Sequence, residues 1–298
     1  MRFMKKIKSE SISKGQISDK MNSKSNKKGS KRTNAYFISG AVITIAFVVL
    51  MFAGLIHTPY DPNAMSGAEK FSSPSLSHIM GTDNFGRDIF SRVLKGISMT
   101  GLVAVSTVAI GGSIGTIVGA ITGYYGGIVD EIVMRINDAL NGFPSILVAL
   151  IIVSIIGPGK YNVILALGIL FIPSFARIVR SEYISLKERD FVKSARLMGA
   201  GNIRIIFRHI FPNIRSTLFV TITIGFNNAV LAEAGLSYLG IGIQPPDASL
   251  GSMLSDAQSY LFTAPWYAIM PGMTIVVFVL GFSLLAEGIR IKAEREND

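Results

Sequence analysis

Covalent chemistry needs a nucleophile beside a base, or metal ligands at short spacing. This sequence supplies neither. It has no cysteine and three histidines, His57, His78 and His209, too far apart to make a metal-spaced pair. Without cysteine there is no disulfide, thiolate metal site or cysteine-borne lipid anchor. Gly157-Pro158-Gly159-Lys160 is followed by Tyr161, so the spacing and hydroxyl of a Walker A loop are missing. The chain is therefore not its own ATPase, and energy must reach it from a partner or a gradient. No metal, cofactor or catalytic residue is expected. An intramembrane enzyme is disfavoured too, because the apolar runs hold no histidine, cysteine or acid pair at depth.

What remains is non-covalent chemistry, and two groups of residues could do it. Asp138, Asn141, Asn227 and Asn228 are polar groups inside or beside long apolar runs. Such groups are costly in a membrane and often line a pathway. Each also suits hydrogen bonding between helices. The second group is a short basic segment, Lys193-Ser194-Ala195-Arg196-Leu197-Met198-Gly199-Ala200-Gly201, closed by Ile210-Phe211-Pro212-Asn213. At 100° per residue, Phe191, Ser194, Ala195 and Met198 fall on one helical face, and Lys193, Arg196 and Leu197 on the other. Small residues at 194 and 195 permit close approach of another surface. Gly199 and Gly201 can end the helix and turn the chain back. The pattern suits a docking surface, and equally a solvated loop with one helical turn.

The elements that must position these residues are membrane helices. Of the 298 residues, 49% are hydrophobic and only 16% charged, with the apolar residues in long runs. The net charge of +10 is not a nucleic-acid footprint, because of where it sits. Eleven of the 29 basic residues precede Asn34, nine lie from Arg177 to Arg215, and none lies between Ser216 and Ile289. This is the asymmetry of cytoplasmic against external loops.

An all-α integral membrane protein with six transmembrane helices follows, both termini cytoplasmic. Residues 1–33 read as a disordered basic cytoplasmic tail that attracts anionic lipid. Residues 34–57 hold a retained anchor helix. Residues 58–96 are an extracytoplasmic segment whose end, Asp88 to Leu94, suits a short amphipathic helix on the membrane surface. Residues 97–290 hold the other five spans. These run from about Ile97 to Thr122, from the Gly126-Gly127 turn to Ile156 with a kink at Phe143-Pro144, from Tyr161 to Val179, from Ser216 to Ala232, and from Pro265 to Ile289. Gly111, Gly115, Gly119 and Gly123 recur every four residues and share one face, which suits close helix packing. The loop 181–213 is cytoplasmic, and a short tail, 291–298, ends inside.

Several stretches resemble one family. The basic loop is similar to the cytoplasmic EAA loop of ATP-driven, binding-protein-dependent importers, whose peptide and nickel branch reads EAARxLGA and then RHxLPN. Here Lys193 stands where glutamate is common and Ser194 where alanine is. Arg208-His209-Ile210-Phe211-Pro212-Asn213 supplies the second part. His78-Ile79-Met80-Gly81-Thr82-Asp83-Asn84-Phe85-Gly86-Arg87-Asp88 resembles the family's HxLGTDxxGRD. Tyr124-Tyr125-Gly126-Gly127 with Asp130, Met134-Arg135, Asp138 and Phe143-Pro144 is similar again. So is Glu233-Ala234-Gly235-Leu236-Ser237-Tyr238-Leu239-Gly240 with Gln244-Pro245-Pro246, although Leu250 departs from a common tryptophan.

The resemblance, from about Ala35 to the end, is to the C-type permease subunit of dipeptide, oligopeptide and nickel ABC importers. It implies a type I ABC importer permease fold and transport by alternating access. It also implies a second homologous permease and two cytoplasmic ATPases, which use ATP and magnesium and seat on the coupling loop. An extracytoplasmic solute-binding protein would deliver the solute. Gly81, Asp83, Arg87, Asp88, Glu233, Gln244, Pro245 and Pro246 are then read as the extracytoplasmic gate or docking set. Short peptides are the expected cargo, with nickel or a metal–chelator complex as the alternative. A gradient-driven carrier or channel is the reading of another class.

Overall fold

The computed structural model describes residues 35–297, with side chains through Lys292. The basic tail and Asp298 lie outside the described residues. Among the described residues nine helices carry the fold. They are α1 (Ala35–Ile56), α2 (Ile89–Tyr125), α3 (Gly127–Asn141), α4 (Ser145–Ile156), α5 (Lys160–Lys187), α6 (Asp190–Leu197), α7 (Asn202–Tyr238), α8 (Leu250–Ala257) and α9 (Pro265–Asn297). Among the described residues the only β pairing is an isolated bridge between Thr82 and Asp88.

Five helices are long and apolar enough to cross a membrane: α1, α2, α5, α7 and α9. The sixth crossing is the pair α3–α4, bent by 87°. The break falls at Phe143-Pro144, where Pro144 caps α4. Proline disfavours helical geometry in the residue before it, so α3 stops short and α4 starts afresh. At twelve residues α4 is about 18 Å long, too short to span a bilayer alone.

The α2–α5 pair forms the spine. Gly111, Gly115, Gly119 and Gly123 all face α5. A Cβ at Gly115 would lie 2.6 Å from Phe175 Cβ, and one at Gly123 2.7 Å from the Arg180 carbonyl oxygen. α9 packs on α7 through Phe226, Phe278 and Phe282, with Phe226 and Phe282 stacked at 4.3 Å between centroids. α1 lies against both α9 and α2, stacking Phe47 on Phe278 at 4.6 Å and accepting from Ser98 Oγ at the Met51 carbonyl, 2.6 Å away.

The helices depart from the expected spans in four places. Asp88 to Leu94 make no separate surface helix. Asp88 is the N-cap of α2, taking the Ser91 amide at 2.7 Å, and Ile89, Arg92, Val93 and Leu94 are buried in the first turns. α5 runs on to Lys187, beyond the apolar stretch that marked it. α7 begins at Asn202, so the second half of the basic loop is helical and continuous with the span. Pro212 has no amide hydrogen to donate, and the ladder before it widens to a π-turn at Ile205–Ile210. Finally, the stretch after Glu233 holds α8, opened by a reciprocal cap between Ser249 and Ser252.

Candidate functional site: a docking knob, a clasp and a polar cleft

Three regions contain the residues singled out by sequence. The first is at the end of the bundle that carries the basic loop. α6 ends in a Schellman turn: the Ala200 amide reaches the Ala195 carbonyl and the Gly199 amide the Arg196 carbonyl, both at 3.0 Å. Gly199 sits at φ +83°, where a side chain is strained, and Gly201 at −69° then caps α7. Val192 and Ala195 are the buried face of α6. The small residue Ala195 therefore meets this chain's own core, while Phe191, Lys193, Ser194, Arg196, Leu197 and Met198 are exposed. Val192 joins Tyr124, Val179, Tyr183, Ile205, Ile206 and Ile210 in one cluster.

Polar contacts lock this cluster. Tyr183 Oη donates to the Ile206 carbonyl at 3.1 Å and Tyr124 Oη to Asn202 Oδ1 at 2.8 Å. Arg196 reaches Tyr124 Oη at 3.3 Å, and Lys187 Nζ the Gly123 carbonyl at 3.1 Å. α6 is thus held on the ends of α2, α5 and α7 by Val192 in the cluster and by the Arg196–Tyr124 bond. Outside this seam stands an apolar knob: Leu197 is 89% exposed, Met198 81% and Ile203 72%, among Arg189, Lys193 and Arg204. Pro212 is half-buried below it.

At the opposite end, the 78–88 stretch folds into a clasp. Asp83 is fully buried and accepts from the Phe85 and Arg87 amides at 2.8 and 2.9 Å and from Arg87 Nε at 2.6 Å. Arg92, also buried, lies 3.7 Å from the same carboxylate. Asp88 holds His78 Nδ1 at 2.9 Å. Gly81, at φ +75°, leaves room for Ser72 and for Trp266 of α9. Asp256 on α8 is 4.0 Å from Arg87; burial pushes its carboxyl up, against the pull of Arg92 and Arg87. Gly81, Asp83, Arg87 and Asp88 are therefore largely turned inward, and they join the starts of α2 and α9.

Glu233 is not on this surface either. It is fully buried, three turns further in, accepting from Thr100 Oγ1 and Ser237 Oγ at 2.6 Å each. Ser237 Oγ also accepts the Ile243 amide at 3.0 Å, which pins the following loop over α7. Gln244 braces that loop through the Gly240 and Gly242 carbonyls at 3.0 and 3.2 Å. Pro245 and Pro246 are exposed on it, beside an ion pair of Asp247 with Lys160 at 2.8 Å. Thr100 and Asp256 were not signalled by any sequence pattern, and Ser237 and Arg92 fell only within longer stretches that gave them no role of their own. Only the packing reveals them.

The polar residues in the spans divide. Asp138 pairs with Arg177 at 2.7 Å, both exposed on the α3–α5 face, and Asn141 Nδ2 donates to the Asn137 carbonyl at 2.8 Å. Asn227 and Asn228 lie together in a cleft between α7 and α9. An apolar cavity of ≈580 Å³ separates α2, α5 and α7, lined by Val108, Phe175, Phe207, Leu218 and Phe226 among others. Among the described residues no three His, Cys, Asp or Glu side chains are grouped to hold a metal ion.

An exposed apolar knob and helices of membrane length describe an integral membrane protein. The comparisons agree. Residues 115–290 match the family described as "Binding-protein-dependent transport system inner membrane component". The chain belongs to that family. It is 39% identical over 261 residues to the dipeptide transport system permease protein DppC of Alkalihalophilus pseudofirmus, covering 87% of this chain and 85% of the relative. It is 39% identical over 254 residues to the glutathione transport system permease protein GsiD of Pectobacterium atrosepticum, covering 85% and 84%. Its fold matches an inward-facing structure of the MetNI methionine ABC transporter with a TM-score of 0.53 at 18% identity, over 67% of this chain and 93% of that one.

This family member is thus a non-catalytic permease subunit of an ABC importer, an integral membrane protein of the type I permease fold. The family's description makes it part of a system that depends on a binding protein.

Proposed function

We propose that this subunit forms half of the translocation pathway of a peptide importer. A second, homologous permease supplies the other half. Two ATPases seat on the 181–213 loops and use ATP and magnesium; this chain binds neither. A solute-binding protein delivers the peptide at the end that carries the clasp and the Pro245-Pro246 loop. The loop end faces the cytoplasm. Its support is the charge bias, nine basic residues from Arg177 to Arg215 and none from Ser216 to Ile289.

The observation that carries the reading is the knob. Leu197, Met198 and Ile203 are exposed where an isolated protein would hide them, around the turn from α6 to α7, and the other face of α6 packs on α2, α5 and α7. Apolar side chains held rigidly in water suit a partner's cleft. Movement of that cleft then reaches the spans, because Arg196 and Val192 hold α6 on Tyr124 and its cluster, while Tyr124, Tyr183 and Lys187 tie α2, α5 and α7 to one another. Peptide cargo is supported by the relatives named for dipeptide, glutathione and peptide transport.

The test is uptake by cells lacking this chain. Loss of labelled dipeptide uptake, restored by the intact gene, is the expected result. Loss of nickel or metal–chelator uptake with peptide uptake intact would overturn the cargo assignment.

A further inference from the structure

Asn227 lies about 18 Å beyond Arg215 along α7, near the middle of the span. Its side chain is 8% exposed. Nδ2 donates to Ser283 Oγ of α9 at 2.7 Å, but Oδ1 is buried without a partner. Buried polar atoms are nearly always hydrogen-bonded, so a lone acceptor at this depth calls for a reason. Asn228 and Ser283 beside it are exposed, although their neighbours Ile224, Leu231 and Val279 are apolar. Amides and hydroxyls are poor lipid contacts and mark protein or water-filled space. Together they bound a cleft of ≈290 Å³ that continues toward Glu287 and the loop end.

If Asn227 served only to tie α7 to α9, its bond to Ser283 would suffice. Neither an orphaned Oδ1 nor an exposed Asn228 would be needed. A free acceptor, a second amide and a hydroxyl are instead complementary to a solute that brings N–H donors and carbonyls. Sites near the membrane midplane are also where alternating-access transporters hold cargo. We propose that the Asn227–Asn228–Ser283 cleft is a contact site for the amide backbone of the translocated peptide. This rests on the peptide-import reading. It adds a location and a chemistry: hydrogen bonds to the peptide group, indifferent to side chains.

The chain has no cysteine, so a single cysteine here reports cleanly. The experiment uses the assembled transporter with its binding protein in proteoliposomes, with the cysteine-free chain as background. Asn228→Cys is treated with a small hydrophilic methanethiosulfonate, with and without alanyl-phenylalanine and ATP. Labelling that the dipeptide slows by about tenfold, the worth of roughly one hydrogen bond, is expected. No labelling would mean that lipid or the second permease covers the cleft. Labelling indifferent to dipeptide would mean water without cargo. Either overturns the proposal. Asn227→Ala supplies a second reading. A contact role raises the KM for dipeptide uptake and leaves the amount of assembled complex unchanged, whereas a purely structural role lowers assembly without changing KM. If the unaltered transporter takes up no peptide at all, the cargo reading has failed rather than the site.

Discussion

The two ends of the bundle solve opposite problems. At the clasp end, charged groups are buried and answered within the chain: Asp83 by Arg87 and two amides, Asp88 by His78 and the Ser91 amide, Glu233 by Thr100 and Ser237. At the loop end the charges are on the outside, the inside is apolar, and Leu197, Met198 and Ile203 are left uncovered. Both ends expose apolar side chains, Leu76 and Phe262 at the clasp end and Leu197 and Met198 at the loop end, so the difference lies in where the charges sit. A permease moved by a partner needs this division. The knob must be rigid from within and unsatisfied from without, while the far end must keep its helices in register as the spans shift.

If the clasp is closed by its own ion pairs, the largest effect comes from breaking them. Asp83→Ala leaves the buried Arg87 and Arg92 with only the more distant Asp256 as counter-charge and should cost about 3 kcal/mol, seen as loss of folded protein on heating in detergent. A stability close to that of the unaltered chain would show that the clasp is not self-contained. At the knob the sign of the effect differs. Leu197→Asp together with Met198→Asp should leave stability intact, since both side chains are exposed, and lower uptake about a hundredfold, or ~2.7 kcal/mol of lost association. A destabilised chain with normal uptake would reverse the comparison.

Smaller effects sharpen it. Glu233→Ala strands two hydroxyls and should cost about 2 kcal/mol, with part recovered by Glu233→Gln, which keeps an acceptor. Equal losses in the two variants would place the effect in packing rather than in the bonds to Thr100 and Ser237. Tyr183→Phe removes one bond from the seam under α6 and should cost about 1 kcal/mol, while weakening the coupling of ATP hydrolysis to uptake. Unchanged coupling would mean that the apolar cluster alone transmits the movement.

Much of the fold was legible because membrane spans advertise themselves. Long apolar runs mark α1, α2, α5, α7 and α9, and Phe143-Pro144 marks the break between α3 and α4. The four-residue spacing of Gly111 to Gly123 is visible as a face, and in the structure that face meets α5. Helix ends were less legible. The first turns of α2 are buried by tertiary contacts although Arg92 looks like loop, and α7 starts ahead of its apolar run with Arg204 and Arg208 on its exposed side. Periodicity cannot tell a polar residue packed within a protein from one in water.

The site divides on the same physics. The Gly199 turn is written in local chemistry, since a positive φ favours glycine. Which face of α6 is buried is not. Spacing groups Phe191, Ser194, Ala195 and Met198, yet Val192 and Ala195 turn inward because α2, α5 and α7 lie on that side. Likewise Asp83, Arg87, Asp88 and Glu233 look like surface chemistry in a polar segment. Their partners, Arg92, Thr100 and Ser237, are distant or unremarkable in sequence, so their burial is a property of the assembled helices.

The most direct measurement compares the two ends in one experiment. Single cysteines at Met198, 81% exposed, and at Ile79, 62% exposed, would be reacted with a hydrophilic thiol reagent in the permease pair alone and then with its ATPases bound. Both positions should react in the pair alone. Adding the ATPases should shield position 198 and leave position 79 unchanged. Shielding at 79, or undiminished reaction at 198, would contradict the assignment of the loop end as the surface built for a partner.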